Sequence, residues 1–301
     1  MLSVVQHPDY DAQTVSDDHR FPMRKYAETA RLLKERGIVS GTNPFITPEP
    51  ASYDEIASAH SHDYVRGAFD LTLDRKKVRE IGFELHEDVV RRSRLSCAGS
   101  ILAGRIAMDE GIACNAAGGS HHARRDGGAG FCVFNDVGVA VKTLKAEGVI
   151  GRAMVIDCDV HQGDGTADIF ADDPDVYTVS VHCETNWPTR KVPSNLDFGL
   201  EAGLRDEAYL NALERALDQA FAEFVPDLVY YNAGVDPHEE DRLGKLALSE
   251  AGIAARDRYV LKRVREKGYP VVGVMGGGYN TDIDLLARLH SKMFEAASLV
   301  K

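Results

Sequence analysis

Residues 156–165 read IDCDVHQGDG, and within them Asp157, Asp159 and His161 recur at every second position. The apolar stretch AMVI runs directly into them. Carboxylates this close repel one another unless something positive lies between them. A strand sets residues i and i+2 on one face about 7 Å apart, so Asp159 and His161 would meet one cation from adjacent pleats. A third ligand must come from elsewhere, and Asp236, beyond the apolar run LVYYNAG, is the candidate. Two carboxylate oxygens and one imidazole nitrogen leave an open position for water, as a catalytic zinc site requires. Ligand type alone does not separate zinc from ferrous iron or manganese. An isolated Asp-x-His is more often a solvated pair; the strand before it, Asp157 at the same spacing and the GDG behind it argue for a metal.

A water activated by a metal needs a base to take its proton, and a leaving amine needs an acid. The neighbours His121 and His122 supply two imidazoles, with two glycines before them and a glycine-rich loop after them. Each imidazole needs a carboxylate to fix its tautomer. Asp157 and Asp164 are the unassigned acids, so two dyads can form. Tyr279 follows Gly276, Gly277 and Gly278. Such a loop folds tightly and presents the next side chain, here a phenol able to donate to a carbonyl oxygen as charge develops on it. The rival reading, a phosphate loop, lacks both the lysine of a P-loop and the spacing of a dinucleotide fingerprint.

The elements that must carry these residues are legible as alternating patterns. Strand-like runs occupy 3–7, 153–160, 176–182, 228–234 and 271–277, and helical spacing occupies 24–37, 89–111, 135–148 and 249–268. The strand-like runs are apolar throughout, as parallel strands buried on both faces are. Strand–helix repetition predicts an α/β fold, a single-domain doubly wound parallel β-sheet flanked by helices, over residues 1–301. Sites in such sheets form beyond the carboxyl ends of the strands, where the polar clusters sit.

A net charge of −12 argues against nonspecific binding to nucleic acid or to an anionic membrane, and weakly favours a basic substrate. No apolar run reaches the roughly 20 residues of a membrane span, and the N-terminus lacks signal-peptide features. Five cysteines, an odd number without a CxxC pair, fit a reducing, cytoplasmic setting. Cys158 lies between two candidate functional residues and reads as a small buried hydrophobe. Oligomeric state is left open.

Taken together, GGSHHA (118–123), GFCVFND (130–136), IDCDVHQGDG (156–165), NAGVDPHEEDRLG (232–244) and GGGYN (276–280) resemble the histone deacetylase family of the arginase–deacetylase fold. HPDY near the start and HSHDYV at 60–65 extend the likeness over most of the chain. Gln162, where many relatives carry a second histidine, and HRFPMRKY at 19–26 resemble the class IV branch and its bacterial kin.

The resemblance implies roles. Asp159, His161 and Asp236 would bind zinc, with ferrous iron as the alternative. His121 and His122 would be the base and acid, backed by Asp157 and Asp164 respectively, and Tyr279 would polarise the amide carbonyl. Gly130 and Phe131 would line an acyl-lysine tunnel, with Trp187 opposite and Gly277 and Gly278 at its floor. A structural potassium would use Asp157, Asp159 and His161 with main-chain oxygens near Ser180 and Val181, and a second would lie around Phe170. Arg24 would line an inner cavity that releases acetate, and Glu84 would lie near the rim that grips the substrate backbone. The implied activity is hydrolysis of an N-acylated amine, acyl-lysine or an acetylated polyamine. An arginase-like ureohydrolase and a metal-containing binding module without turnover are the other readings.

Overall fold

Short runs of valine, isoleucine and tyrosine become seven strands, and the longer amphipathic stretches become ten α-helices around them. The computed structural model describes residues 1–301. In chain order it contains β1 (Ser3–Val5), α1 (Lys25–Glu35), α2 (Tyr53–Ala57), α3 (His62–Phe69), α4 (Arg75–Ile81) and α5 (Glu87–Glu110). There follow β2 (Ile112–Asn115), α6 (Asp136–Ala146), β3 (Ala153–Asp157), α7 (Asp164–Phe170), β4 (Val176–Cys183) and β5 (Leu196–Leu200). The chain ends with α8 (Asp206–Glu223), β6 (Leu228–Asn232), α9 (Glu250–Glu266), β7 (Val271–Val274) and α10 (Ile283–Leu299).

All strands are parallel, in the order β1-β2-β7-β6-β3-β4-β5. The expected doubly wound parallel sheet is therefore present as one sheet. Every residue of β2, β3, β4, β6 and β7 is buried, because helices cover both faces. Only β5, at the edge, alternates between buried and exposed positions. Helix α5 lies along α6 and over β2 and β7, while α10 packs between α1 and α9.

Register does the work of assembly. Asn115, Val274, Asn232, Asp157 and Ser180 stand in one row across β2, β7, β6, β3 and β4. Four of these strands, β2, β7, β6 and β3, stop at this level while β4 runs on to Cys183, and the loops that follow the four open onto one crevice. Helix caps fix where the loops end. Asn135 accepts a hydrogen bond from the N–H of Gly138 to start α6, and Ser249 caps α9 in the same way.

One element differs from expectation in a way that matters. The strand expected over 153–160 ends at Asp157. Asp159 and His161 therefore lie in a loop, not on adjacent pleats, and something other than strand geometry must bring them together. Elements absent from the sequence-based outline are β2, β5, α7, α8, α10 and the short helices α2 to α4. No helix is long and apolar enough to cross a membrane.

Candidate active site

Backbone hydrogen bonds replace the missing strand. The N–H of Asp159 donates to Asp157 Oδ1 at 3.0 Å, and the N–H of His161 donates to Asp159 Oδ1 at 3.0 Å. The N–H of Val160 donates to Asp236 Oδ1 at 2.9 Å, which stitches the loop after β3 to the loop after β6. The N–H of Gly277, after β7, donates to Asp159 Oδ2 at 2.8 Å. Both oxygens of Asp159 thus accept a backbone N–H, whereas Asp236 accepts one on Oδ1 and turns Oδ2 toward His161. His161 Nδ1 lies 3.0 Å from Asp159 Oδ1 and 3.1 Å from Asp236 Oδ2.

Asp159, His161 and Asp236 are all buried and offer ligand atoms within 4.8 Å of one another. The electrostatics show what the cluster needs. Burial and the neighbouring Asp159 charge push Asp236 up to about 7. Asp159 is held well below its ordinary range: burial opposes this, but His121 and His161 outweigh it. His161 is raised to about 10 against the effect of burial, by its hydrogen bonds to Asp159 and Asp236. Two buried carboxylates thus share the His161 imidazole, and Asp159 has a second positive neighbour, His121. A divalent cation would relieve that shortage, and two carboxylate oxygens with one imidazole nitrogen suit zinc or ferrous iron.

The histidines form the two dyads. His121 Nδ1 lies 2.6 Å from Asp157 Oδ2, and His122 Nδ1 lies 2.6 Å from Asp164 Oδ1. Their rings are 4.0 Å apart. The remaining nitrogen of His121, Nε2, is 3.7 Å from Asp159 Oδ1. The two environments pull the pair apart. Burial opposes charge on His121, but Asp157 and Asp159 raise it to about 9. Burial and the charge on His121 lower His122 to about 4, despite Asp164. The pair can therefore hold one proton between them near neutral pH, which is the condition for acid–base exchange.

Tyr279 is buried, and burial together with Asp159 and Asp236 keeps its phenol protonated, well above the usual tyrosine range. Its ring lies 6.1 Å from that of His161. A Cβ on Gly277 would sit 2.3 Å from Asp236 Oδ2, so only glycine lets this loop approach the cluster. The N–H of Tyr279 donates to Asp241 Oδ2 at 2.7 Å.

A cavity of about 1100 Å³ leads down to His122, His161 and Tyr279. Gly130, Phe131 and Trp187 line it, as the resemblance implies. A Cβ on Gly130 would lie 2.7 Å from His122 and 2.8 Å from Trp187, so a side chain at this position would meet both rings. Phe131 has φ +67°, a left-handed conformation that costs a non-glycine residue energy and is tolerated where the surroundings enforce it.

Some expected placements are corrected. Gly277 borders a second space of about 20 Å³, behind Tyr279, and not the outer cavity. Gly278 lines neither, because the side that a Cβ would occupy faces Val235 and His290. Arg24 is exposed and pairs with Asp17 at 3.8 Å. The cation that lines the inner space is Arg92, while the neighbour of Arg24, Lys25, is fully buried, with Nζ donating to the carbonyls of Gly276 at 3.2 Å and Gly278 at 3.4 Å. Glu84 is exposed outside the cavity lining, beyond the end of α4; Glu80, within α4, is the acid of that segment at the mouth. Ser180 stands opposite Asp157, with its hydroxyl 2.9 Å from His182 Nδ1. Val181 is buried beside it, and Phe170 is buried at the end of α7.

Several residues were not anticipated. Asn232 Nδ2 donates to Asp157 Oδ1 at 3.0 Å, and Arg124 donates twice to Asp164 Oδ2, at 2.6 and 3.1 Å. Buried Arg256 ties the carbonyls of Cys158 (3.2 Å) and Gly234 (2.5 Å), in the loops that carry Asp159 and Asp236. Arg124 follows the histidine pair and Asn232 opens NAGVD, so adjacency to a motif was their one signal. Cys158 is buried as expected, and burial raises its thiol to about 12.

The chain is similar to known proteins over most of its length. The histone deacetylase domain model matches residues 19–297. The chain is 43% identical to an uncharacterized protein of a Picosynechococcus species, over 98% of this chain and 97% of that one. It is 30% identical to Histone deacetylase 2 of Arabidopsis thaliana, over 92% of this chain and 74% of that one. It is 28% identical to the acetoin utilization protein AcuC of Bacillus subtilis, over 81% and 68% respectively. In fold it matches the crystal structure of an HDAC homolog complexed with SAHA, with TM-score 0.85 and 24% identity, covering 99% of this chain and 84% of that one.

Proposed function

The chain belongs to the histone deacetylase family of hydrolases, and from that premise we propose that it hydrolyses the amide of an N-acylated amine, with acetylated lysine as the substrate of choice. The observation that carries this is convergence: two His–Asp dyads and a protonated tyrosine surround one buried Asp–His–Asp cluster at the foot of a narrow cavity.

Asp159, His161 and Asp236 would hold zinc, or ferrous iron in its place. When bound, such a cation supplies Lewis acidity, favouring ionisation of a water and polarising a carbonyl. The chain's own residues do the rest. Gly130, Phe131 and Trp187 confine an alkyl chain and exclude bulk water from it. Asp157 and Asp164 hold Nδ1 of His121 and His122, so Nε2 of each ring is the atom that takes a proton and returns it to the departing amine. The phenol of Tyr279 donates to the carbonyl oxygen as negative charge grows there. Asp241 and Lys25 hold the backbone that leads into that phenol. The products are a carboxylate, acetate for an acetylated substrate, and a free amine. Structural potassium would use Asp157, Asp159, His161, Ser180 and Val181, with a second ion near Phe170. Gln162 beside the metal-site histidine supports a place near the class IV branch.

The mouth bears on substrate. Arg20, Arg79, Arg124 and Lys245 line it beside Glu80, Asp126 and Asp168. It therefore has no acidic collar to favour a polycation, which supports acyl-lysine over an acetylated polyamine despite the net charge of the chain. Rates of acetate release from an acetyl-lysine peptide and from an acetylated polyamine, measured side by side, test the proposal. Turnover of the peptide is expected; turnover of neither would remove it.

A further inference from the structure

Trp187 is the only tryptophan in the chain, and its indole stands edge-on to His122 with ring centroids 4.5 Å apart. The residue is nevertheless 46% exposed, on a loop between β4 and β5. A half-exposed ring with one edge contact does not hold its own position, so the loop must be fixed by other means.

Lys191 supplies them. Its ammonium donates to the carbonyls of Glu184 at 3.1 Å, Asn186 at 2.8 Å and Pro188 at 2.8 Å. A lysine has three N–H donors and no acceptor, so three converging carbonyls satisfy it fully. These carbonyls belong to alternate residues that bracket Trp187 on both sides. Lys191 forms no ion pair, in contrast to Lys142, Lys145 and Lys292. Its charge is spent on the backbone. The clasped loop is tied at both ends to the catalytic loops. Asn186 donates to the carbonyl of Leu243 at 2.7 Å and accepts from the N–H of Lys245 at 3.0 Å, beyond Asp236. Gln162, next to His161, exchanges hydrogen bonds with Val192, at 2.8 and 3.0 Å.

We infer that Lys191 is a positioning residue that holds Trp187 against His122 and so sets the width, and with it the substrate grip, of the passage. Its link to substrate rests on the proposed function; its hold on the loop does not. The two parts are read separately. The single tryptophan makes emission a report on this wall alone, with or without turnover. K191M is expected to shift emission to longer wavelength and to steepen quenching by acrylamide. KM for an acetyl-lysine peptide should rise roughly three- to tenfold, the effect of leaving one wall side chain to be ordered on binding, with kcat within about twofold. K191R, which keeps a cationic donor, should return emission and KM toward the wild-type values. Should K191M fail to fold by circular dichroism, K191Q takes its place with the same expectation. Wild-type emission and quenching in the folded neutral variant would overturn the inference whatever the activity. Altered emission with unchanged KM would overturn the role in substrate grip. A protein without deacylase activity whose emission responds as expected would count against the proposed function and leave the clasp intact.

Discussion

Arg124 grips Asp164 through two guanidinium hydrogen bonds, of 2.6 and 3.1 Å, on the carboxylate oxygen that His122 does not use. The carboxylate is held between a fixed cation and the imidazole it orients. Its pKa is lowered: burial opposes this, but His122 and Arg124 outweigh it.

Removing that cation leaves Asp164 less firmly placed and His122 less firmly aimed. Arg124→Ala is expected to lower kcat/KM for an acetyl-lysine peptide by roughly three- to tenfold, the range for one charge-assisted hydrogen-bonded contact that is partly solvent-exposed. Initial rates of acetate release check this. Full activity would show that Asp164 needs no support from Arg124.

The phenol of Tyr279 is placed to donate, and its loss should be felt in the chemical step. Tyr279→Phe is expected to cut kcat by about 10²–10³, the usual loss for one oxyanion donor, without unfolding the protein. Turnover near the wild-type level would remove Tyr279 from the mechanism.

His60 links the histidine loop to the start of α6. Its Nδ1 lies 2.8 Å from the carbonyl of Arg124, and Nε2 accepts the N–H of Asn135 at 2.9 Å. The proton therefore sits on Nδ1, and a second proton would displace Asn135. Burial lowers His60 from 6.5 to about 4. Between those values the unfolded chain binds the proton and the folded chain does not, so the contribution is complete above pH 6.5 and is lost as pH falls toward 4. The loss is at most about 3 kcal/mol. Urea denaturation at pH 7 and pH 4.5 should show a smaller fall in stability for His60→Asn than for wild type. Equal falls would place the acid sensitivity elsewhere.

Much of this site was readable in the sequence because its residues sit where strand patterns break into glycine and polar clusters. The two histidines and their candidate acids, the candidate cluster of Asp159, His161 and Asp236, and Tyr279 stand at such breaks, while the pairing of His121 with Asp157 and His122 with Asp164 came from the family resemblance. What the sequence hid was how the loops are held. The strand pattern in AMVIDCDV runs past the true end of β3, because buried loop residues are as apolar as strand residues. Hydrogen bonds from Asp159, Val160 and His161 do what the pleat was expected to do. Arg24 precedes α1 and faces solvent, while the cation that lines the inner space, Arg92, comes from α5, much later in the chain. Glu84 lies beyond the left-handed Gly82 that ends α4, so the chain has already turned away from the cavity that Glu80 lines. Contacts such as Asn232 to Asp157 join residues 75 positions apart, and only the register of β3 with β6 reveals them.

The electrostatic shortage around Asp236 predicts that metal binding and stability are linked. A ligand that binds only the folded state stabilises it by mass action. Treatment with a chelator is expected to lower Tm, and zinc or ferrous iron should restore it. In Asp236→Asn the metal-dependent part of Tm should shrink. An identical response in variant and wild type would exclude Asp236 as a ligand.

The most direct test of the account is divalent metal content per chain, measured on the same preparations as acetate release, for wild type and Asp236→Asn. One metal per active wild-type chain, with metal and activity lost together in the variant, is the predicted result. Active wild-type protein without bound metal, or a variant that keeps its metal in full, would contradict it.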